Sequence, residues 1–202
     1  MNGPCMQNSK PFSEVIESSL HGWLAQSWQW NTFPSFGSLM GIITEKRTLF
    51  GIVHQIKTGS MDPIRYPFPY QKTQEELLRE QPQIFEFLKT TFLCLSMGYQ
   101  EKGKIYYLLP PEPPTIHAFV YPLTADMQKQ FFYQEHYLHL LFSLADQVQN
   151  LDELLLALLR TQAELKLLSD EKLQQFTNAF SLLTGNDYRR LKLFLHRVEN
   201  II

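Results

Sequence analysis

The sequence predicts an α+β protein with a small N-terminal six-stranded β-barrel, a helical insert in that barrel, and a C-terminal domain of four helices. Two observations lead to this fold class. Apolar, β-branched segments spaced by glycine and proline fill the chain as far as Leu123. From Thr124 onward the apolar residues recur with a helical period, and the next glycine is Gly185.

The predicted boundaries follow from these patterns. We expect residues 1–17 to form a flexible segment, because the chain starts with polar residues, glycine and proline. The barrel takes residues 18–123, with its helical insert at about 73–89, and the helical bundle takes residues 124–202. A chain of 202 residues that is 44% hydrophobic can supply a core for one or two such domains.

Charge and cysteine content restrict the function classes. A formal net charge of −2 gives no global attraction to nucleic acid or to acidic membranes. The two cysteines, Cys5 and Cys94, are expected to be free thiols in a reducing compartment. The first 30 residues lack the pattern of a signal peptide, and the most apolar run, 151–159, is shorter than the ~20 residues of a membrane span. We therefore expect a soluble, cytoplasmic protein.

The centre of the predicted barrel is a hairpin between Gly37 and Gly59. Residues 39–44 and 49–57 are apolar and β-branched, and the polar residues 45–47 separate them. This pattern predicts two antiparallel strands joined by a tight turn. The glycines are expected where a strand bends or another backbone approaches closely.

Four further strands complete the predicted barrel, at residues 18–30, 90–97, 104–109 and 116–121. The first is ambiguous, because apolar residues from Val15 to Leu24 also permit a helix. We favour a strand with Trp28 and Trp30 on one face, since a barrel needs this strand to close its edge. A proline-rich run at 109–114 predicts a stiff connector before the last strand.

After Gly59, where the predicted hairpin ends, the composition of the chain changes. Residues 60–70 carry three prolines and three aromatic residues, which predicts a loop. Thr73 and Glu76 then form a capping-box pattern, which predicts a short helix to about Arg79. Packing of this loop onto the barrel is the simple expectation, and a stacking platform for bases is the alternative.

Four amphipathic helices are expected after the barrel. Their predicted first residues or caps are Thr124, Asp152, Ser169 and Asp187. The first is expected to run through Met127 and Phe131 to Phe142, and the third is expected to end at residues 184–186. Each apolar stripe must be covered, because burying one leucine side chain contributes ~1.5–3 kcal/mol.

The strongest enzymatic motif is a near match to a phosphate-binding P-loop at residues 98–105. A P-loop needs a hydroxyl at its last position and a helix that begins at the lysine. Here the last residue is Ile105, and the apolar residues after it favour a strand. We therefore interpret the stretch as a polar hairpin turn.

Two other clusters of reactive residues are weaker. Glu135, His136 and His139 lie within one helical turn, but no second pair of ligands is evident, so surface histidines are the favoured interpretation. Ser60 lies near His54 and Asp62 in sequence, yet no nucleophile elbow frames the serine. The sequence predicts no catalytic residue, no cofactor and no metal.

The predicted binding residues fall into three groups. A leucine-rich helix has more apolar surface than one stripe needs, the last helix has a basic face, and the proline-rich loop has aromatic residues. The residues chosen from these groups are Leu156, Leu159, Arg189, Arg190, Lys192, Arg197, Tyr66 and Phe68.

Four segments resemble the HAS-barrel family, whose name joins the HerA-type DNA-translocating ATPases and the rotary ATP synthases. They are Phe-Gly-Ile-Val at 50–53, Thr-Gly-Ser-Met-Asp-Pro-Ile-Arg at 58–65, Glu-Gln-Pro-Gln-Ile-Phe at 80–85 and Leu-Pro-Pro-Glu-Pro-Pro-Thr-Ile-His-Ala-Phe-Val-Tyr at 109–121. The chain looks like a compact, stand-alone member, and the resemblance covers roughly residues 20–123. It implies a small barrel that assembles subunits and docks partners, with no catalytic residue.

The chain departs from the larger relatives because helices without a P-loop follow the barrel, so ATP-driven translocation is not implied. The leading hypothesis is a non-enzymatic protein-interaction module that docks onto itself or onto a larger complex. The alternative is a nucleic-acid-binding accessory protein of a DNA-processing ATPase or nuclease, with the basic last helix on phosphates.

Overall fold

The computed structural model describes residues 10–62, residue 64 and residues 67–199. Most of the segment predicted to be flexible, together with Cys5, therefore lies outside the described residues. The strands are β1 Ser13–Ser18, β2 Gly22–Ser27, β3 Leu39–Ile43, β4 Arg47–Ser60, β5 Leu88–Glu101, β6 Lys104–Tyr106 and β7 Phe119–Pro122. The helices are α1 Gln74–Glu80, α2 Gln83–Glu86, α3 Ala125–Phe131, α4 Tyr137–Ser143, α5 Leu151–Glu164, α6 Asp170–Leu183 and α7 Tyr188–Val198.

Six of the strands close into an antiparallel β-barrel. The neighbours run in the order β2, β1, β7, β3, β4 and β5, and a pairing between β2 and β5 closes the circle. Strand β6 is an extra strand that pairs with the end of β5. Of the seven α-helices in the described part of the chain, five follow the barrel. The predicted α+β class and the six-stranded barrel are therefore confirmed. The predicted strand at 104–109 is not one of the six, because among the described strands β6 pairs only with β5, and β1 takes its place in the ring.

The barrel interior is filled by one cluster of buried side chains. Trp23 is its largest member, and the ring lies against Gly51, where an added Cβ would meet the indole Cη2 at 2.2 Å. A glycine at this position is therefore what allows the indole to fit inside so small a barrel. The cluster contains Val15, Trp23, Ala25, Met40, Ile42, Leu49, Val53, Phe92, Cys94 and Val120.

The outer face of the barrel and the helices share a second, larger cluster. Phe50 and Ile52 of β4 belong to it, whereas Leu49 and Val53 of the same strand point into the barrel, as the two-residue period of a strand requires. Phe131 of α3 is fully buried and meets Phe50 edge to face, with 5.3 Å between ring centroids. The helices therefore cover one side of the barrel.

The predicted strand at 18–30 is wrong in its bounds. The structure has two shorter strands, β1 and β2, joined by a turn in which the Ser19 amide donates to the Gly22 carbonyl at 2.9 Å. Trp28 and Trp30 follow β2 and do not share a strand face. The Trp28 indole donates to Glu14 at 2.9 Å, while the Trp30 ring stacks on Phe85 at 5.2 Å.

The predicted first helix after the barrel is in fact two helices, α3 and α4. Phe131 and Phe132 are both fully buried, as is Tyr137, and α3 ends at Phe131 with Phe132 as its C-cap. The ammonium of Lys172 holds the chain at this break. It donates to the Phe132 carbonyl at 3.0 Å, to the Tyr133 carbonyl, and to the Glu135 carboxylate at 3.0 Å.

The capping signals are confirmed almost without exception. Thr73 forms the predicted capping box, and Thr124, Ser169 and Asp187 each accept from a backbone amide of the following helix. The exception is α5, which is capped by Asn150 instead of beginning at Asp152. Within the described residues, no helix combines the length and the apolar character that a bilayer span requires.

Candidate protein-docking surface

The two longest strands continue past the barrel as a two-stranded arm. Strand β3 pairs with β4 as far as Ile52, and β2 pairs with β5 as far as Thr91. Beyond these points β4 and β5 still pair with each other, and the pairing ends at Ser60 and Leu88. The arm therefore carries residues 61–87, which we call the insert, away from the barrel.

The insert has no hydrophobic core of its own. None of its described residues is buried, and both of its helices, α1 and α2, lack a buried side chain. Six large apolar side chains are between 38% and 87% exposed. They are Met61, Ile64, Phe68, Tyr70, Leu78 and Phe87.

Polar contacts, together with the stack of Phe85 on Trp30, stabilise the conformation of the insert. In the capping box, the Glu76 amide donates to the Thr73 hydroxyl at 3.3 Å, and the Thr73 amide donates to the Glu76 carboxylate at 2.8 Å. The hydrogen bond from the Thr73 backbone lowers the pKa of Glu76. The hydrogen bond between Lys72 and Glu80 raises the pKa of Lys72. Since an isolated helix of seven residues is marginal in water, these contacts and the arm define where α1 lies.

The predicted aromatic residues of the loop have different outcomes. Tyr66 lies outside the described residues. Phe68 is 70% exposed and meets the Tyr70 ring edge to face at 5.7 Å. The expectation that the proline-rich loop packs onto the barrel is therefore wrong for Phe68, because its ring contacts a neighbour in the same loop and leaves most of its surface in water.

The basic residues of α7 fall into two pairs. Arg190 bonds to Asp152 at 2.6 Å, with its guanidinium 5.6 Å from the centre of the Phe180 ring, and Arg197 forms an ion pair with Glu153. These two cations therefore attach α7 to α5. Arg189 and Lys192 are exposed and form no ion pair within the described part of the chain.

The predicted leucines of α5 lie mainly in the core. Leu159 is fully buried and Leu156 is 6% exposed. The helix is apolar around much of its circumference because it packs against α7, bonds through Gln162 to Tyr137 of α4, and places Ala157 against Gly37 just before β3. Leu156 also lines a groove with Phe36 and Arg197. Leu159 has no surface to offer a partner in this structure.

The stretch that resembles a P-loop is a β-hairpin, as the sequence predicted. Residues 98–101 continue β5, Lys102 and Gly103 make the turn with φ angles of 50° and 79°, and β6 begins at Lys104. Gly98 has a φ of 121°, and a Cβ there would meet the Tyr106 carbonyl oxygen at 2.2 Å. The glycine spacing is therefore explained by strand pairing.

The other reactive residues are not brought together. Glu135 pairs with Lys172, and no three His, Cys, Asp or Glu residues among those described could hold one metal ion. His54 and Ser60 lie on one strand, six residues and roughly 20 Å apart, so they form no nucleophile pair. Burial lowers the pKa of His54.

Sequence reasoning missed most of the exposed apolar residues. Ile64, Leu78 and Phe87 in the insert are 87%, 46% and 63% exposed, and none was predicted as a binding residue. The available signal was that these residues lie in segments without a sustained apolar period, between prolines and charges. Such residues have no obvious core to join.

Comparisons with protein-family models and with curated proteins find no match for this chain. A closed six-stranded barrel does not by itself identify a family, so the HAS-barrel resemblance stays a prediction.

Proposed function

We propose that this protein is a non-enzymatic interaction module that binds other protein molecules through the insert. The observation that carries the proposal is that the insert holds six large exposed apolar side chains on a stable arm, without one buried residue among those described. Exposed apolar surface of this extent is typical of a docking site. The unpaired thiol of Cys94 fits a reducing compartment, so a cytoplasmic location is part of the proposal.

The chemistry of the insert suits a protein partner. Aromatic side chains such as Phe68 and Phe87 are typical anchors of protein interfaces, and burying each would contribute ~1.5–3 kcal/mol. The capping box and the Trp30–Phe85 stack already order the backbone around them. A partner would therefore bind a preformed surface and lose less conformational freedom on binding.

The alternative role in nucleic-acid binding has less support. It requires phosphate contacts from the basic last helix, yet Arg190 and Arg197 are engaged by Asp152 and Glu153. A surface with two remaining cations would give little affinity, because non-specific binding grows with the number of phosphates that are neutralised.

The test is capture of partners from the native cell by tagged protein after crosslinking, followed by mass spectrometry. Wild type is compared with a variant that carries Phe68→Ser and Phe87→Ser. Both side chains are more than 60% exposed, so the variant is expected to fold as wild type does. We expect the double variant to lose the crosslinked protein species that wild type forms.

The matched control is Leu108→Ser, since Leu108 is 61% exposed but lies after β6 instead of in the insert. It should retain every crosslinked species. If wild type and the insert variant give the same crosslinks, or if wild type gives none, the proposed function is wrong.

A further inference from the structure

We infer that the insert of one molecule binds the outer face of α7 on a second copy of the same chain. This inference deepens the proposed docking function and rests on it. It is carried by two surfaces of one chain, each with exposed apolar side chains and each with unpaired charges of one sign.

Helix α7 has apolar residues on two sides. Phe194 and Val198 are buried against the other helices, and at about 100° per residue the opposite side of α7 carries five exposed residues. We call this side the outer face; its residues are Tyr188, Arg189, Lys192, Leu193 and His196. Tyr188 is 75% exposed and Leu193 is 62% exposed. Phe194 and Val198 on the inner face already attach α7 to the rest of the protein. The apolar residues of the outer face are therefore available for binding.

The outer face of α7 is positively charged. The helix holds four Lys or Arg residues, and the exposed carboxylate of Glu199 that follows it bonds to the His196 ring at 3.2 Å. Ion pairs to α5 occupy Arg190 and Arg197, which leaves Arg189 and Lys192 on the outer face with no ion pair to any described residue. Two free cations beside two exposed apolar side chains fit an acidic surface with apolar anchors.

The insert has the complementary composition. It contains five acidic and three basic residues, so its formal net charge is −2. Glu76 closes the capping box and Glu80 pairs with Lys72. Glu75 and Glu86 are exposed and form no ion pair among the described residues, so two free carboxylates match the two free cations of α7.

The apolar parts also match. Leu78 lies on α1 between Glu75 and Arg79, and Phe87 directly follows Glu86. A contact between the insert of one copy and α7 of the next joins two different surfaces, so each copy still has one free surface of each kind. Such a contact can repeat from copy to copy, into a closed ring or an open chain.

The experiment is sedimentation velocity of the purified full chain over a range of concentrations, with single charge reversals on each surface. Glu75→Lys reverses a free carboxylate of the insert, and Lys192→Glu reverses a free cation of α7. We expect wild type to associate with increasing concentration and less so in high salt, because salt screens exposed charges. Each reversal should weaken association about tenfold, and an equimolar mixture of the two variants should recover most of it.

Matched controls are Glu45→Lys and Lys46→Glu, which reverse exposed charges in the turn between β3 and β4. They should associate as wild type does. Recovery in the mixture is a result that loss of folding cannot produce. A wild type that stays monomeric to about 100 μM, or association that the reversals leave unchanged, would overturn the inference.

These outcomes are separate from those of the crosslinking test. Suppose that insert-dependent crosslinks to other proteins are found while the purified chain stays monomeric. The inference that the partner is a second copy is then wrong, and the proposed docking function is supported. If no insert-dependent crosslink is found either, the docking function is wrong as well.

Discussion

The helix-covered side of the barrel and the insert contain similar side chains in opposite surroundings. On the covered side, Phe50 and Phe131 meet at 5.3 Å and neither has any exposed surface. In the insert, Phe68 and Tyr70 meet at 5.7 Å and are 70% and 38% exposed. The ring pairs are alike in geometry, so the difference lies in whether a second layer of structure covers them.

This difference separates two roles for aromatic residues in one chain. A covered pair stabilises the fold, because its apolar area is removed from water when the chain folds. An exposed pair contributes little to folding, because its apolar area stays in water. That area can still be removed from water when a partner binds. The comparison predicts that substitutions in the two regions will affect stability very differently.

The largest expected effect is on the covered side. Phe131→Ala removes a fully buried ring and leaves a cavity, so we expect the free energy of unfolding to fall by about 3–5 kcal/mol. Phe68→Ala should change it by less than about 0.5 kcal/mol, because most of that ring is already in water. Urea unfolding followed by circular dichroism measures both. Similar losses from the two substitutions would show that the insert has a structural role.

A smaller effect is expected from a pair of glycines on β4. In Gly51→Ala the new methyl group would lie 2.2 Å from the Trp23 indole, so we expect a loss of about 1–3 kcal/mol from overpacking of the barrel. At Gly59, on the arm, nothing lies within 4 Å of an added Cβ. Gly59→Ala should therefore be neutral or stabilise by up to about 1 kcal/mol. Equal effects on the urea midpoint would contradict the closed, filled barrel.

The smallest effect is a pH dependence at the join between barrel and helices. The Tyr107 hydroxyl donates to the Phe131 carbonyl at 2.6 Å, and burial raises the pKa of Tyr107 to about 12. The unfolded chain has a tyrosine pKa of about 10, so it loses this proton first. The stabilisation is therefore complete below pH 10 and is lost as pH rises to about 12. The Tyr107 side chain is partly exposed, so screening by solvent reduces this loss to roughly 1–2 kcal/mol.

The measurement is the free energy of unfolding at several pH values between 9 and 12, for wild type and for Tyr107→Phe. Since burial also raises the pKa of Tyr137, the variant should keep part of the alkaline loss. A pH slope that is the same in both proteins would show that Tyr107 does not titrate in this range.

Local features of the fold were predictable because they depend on neighbours in the sequence. The capping box at Thr73 and the stop after α6 need only a few residues in a row, and both are confirmed. The hairpin around Lys102 and Gly103 was predicted from its turn residues in the same way. The break between α3 and α4 was not predictable, because Lys172 on a distant helix holds it.

The candidate site was predictable only in part. The place of Phe68 in a proline-rich loop predicts a binding residue, and its exposure agrees with a surface role. The apolar content of its helix predicts Leu159 as a binding residue too, yet the side chain is fully buried in the core. Apolar content alone cannot separate a core residue from a docking residue, because both have the same side chains.

The sequence by itself determined the kinds of elements in this protein and where most of them start and stop. The type and the ends of each element depend on caps, turns and the spacing of apolar side chains, and each of these acts over a few residues. Only the tertiary structure decided that the helices cover the outer face of the barrel and leave the insert exposed at the end of its arm. The physical reason is that burial depends on which distant segments pack together.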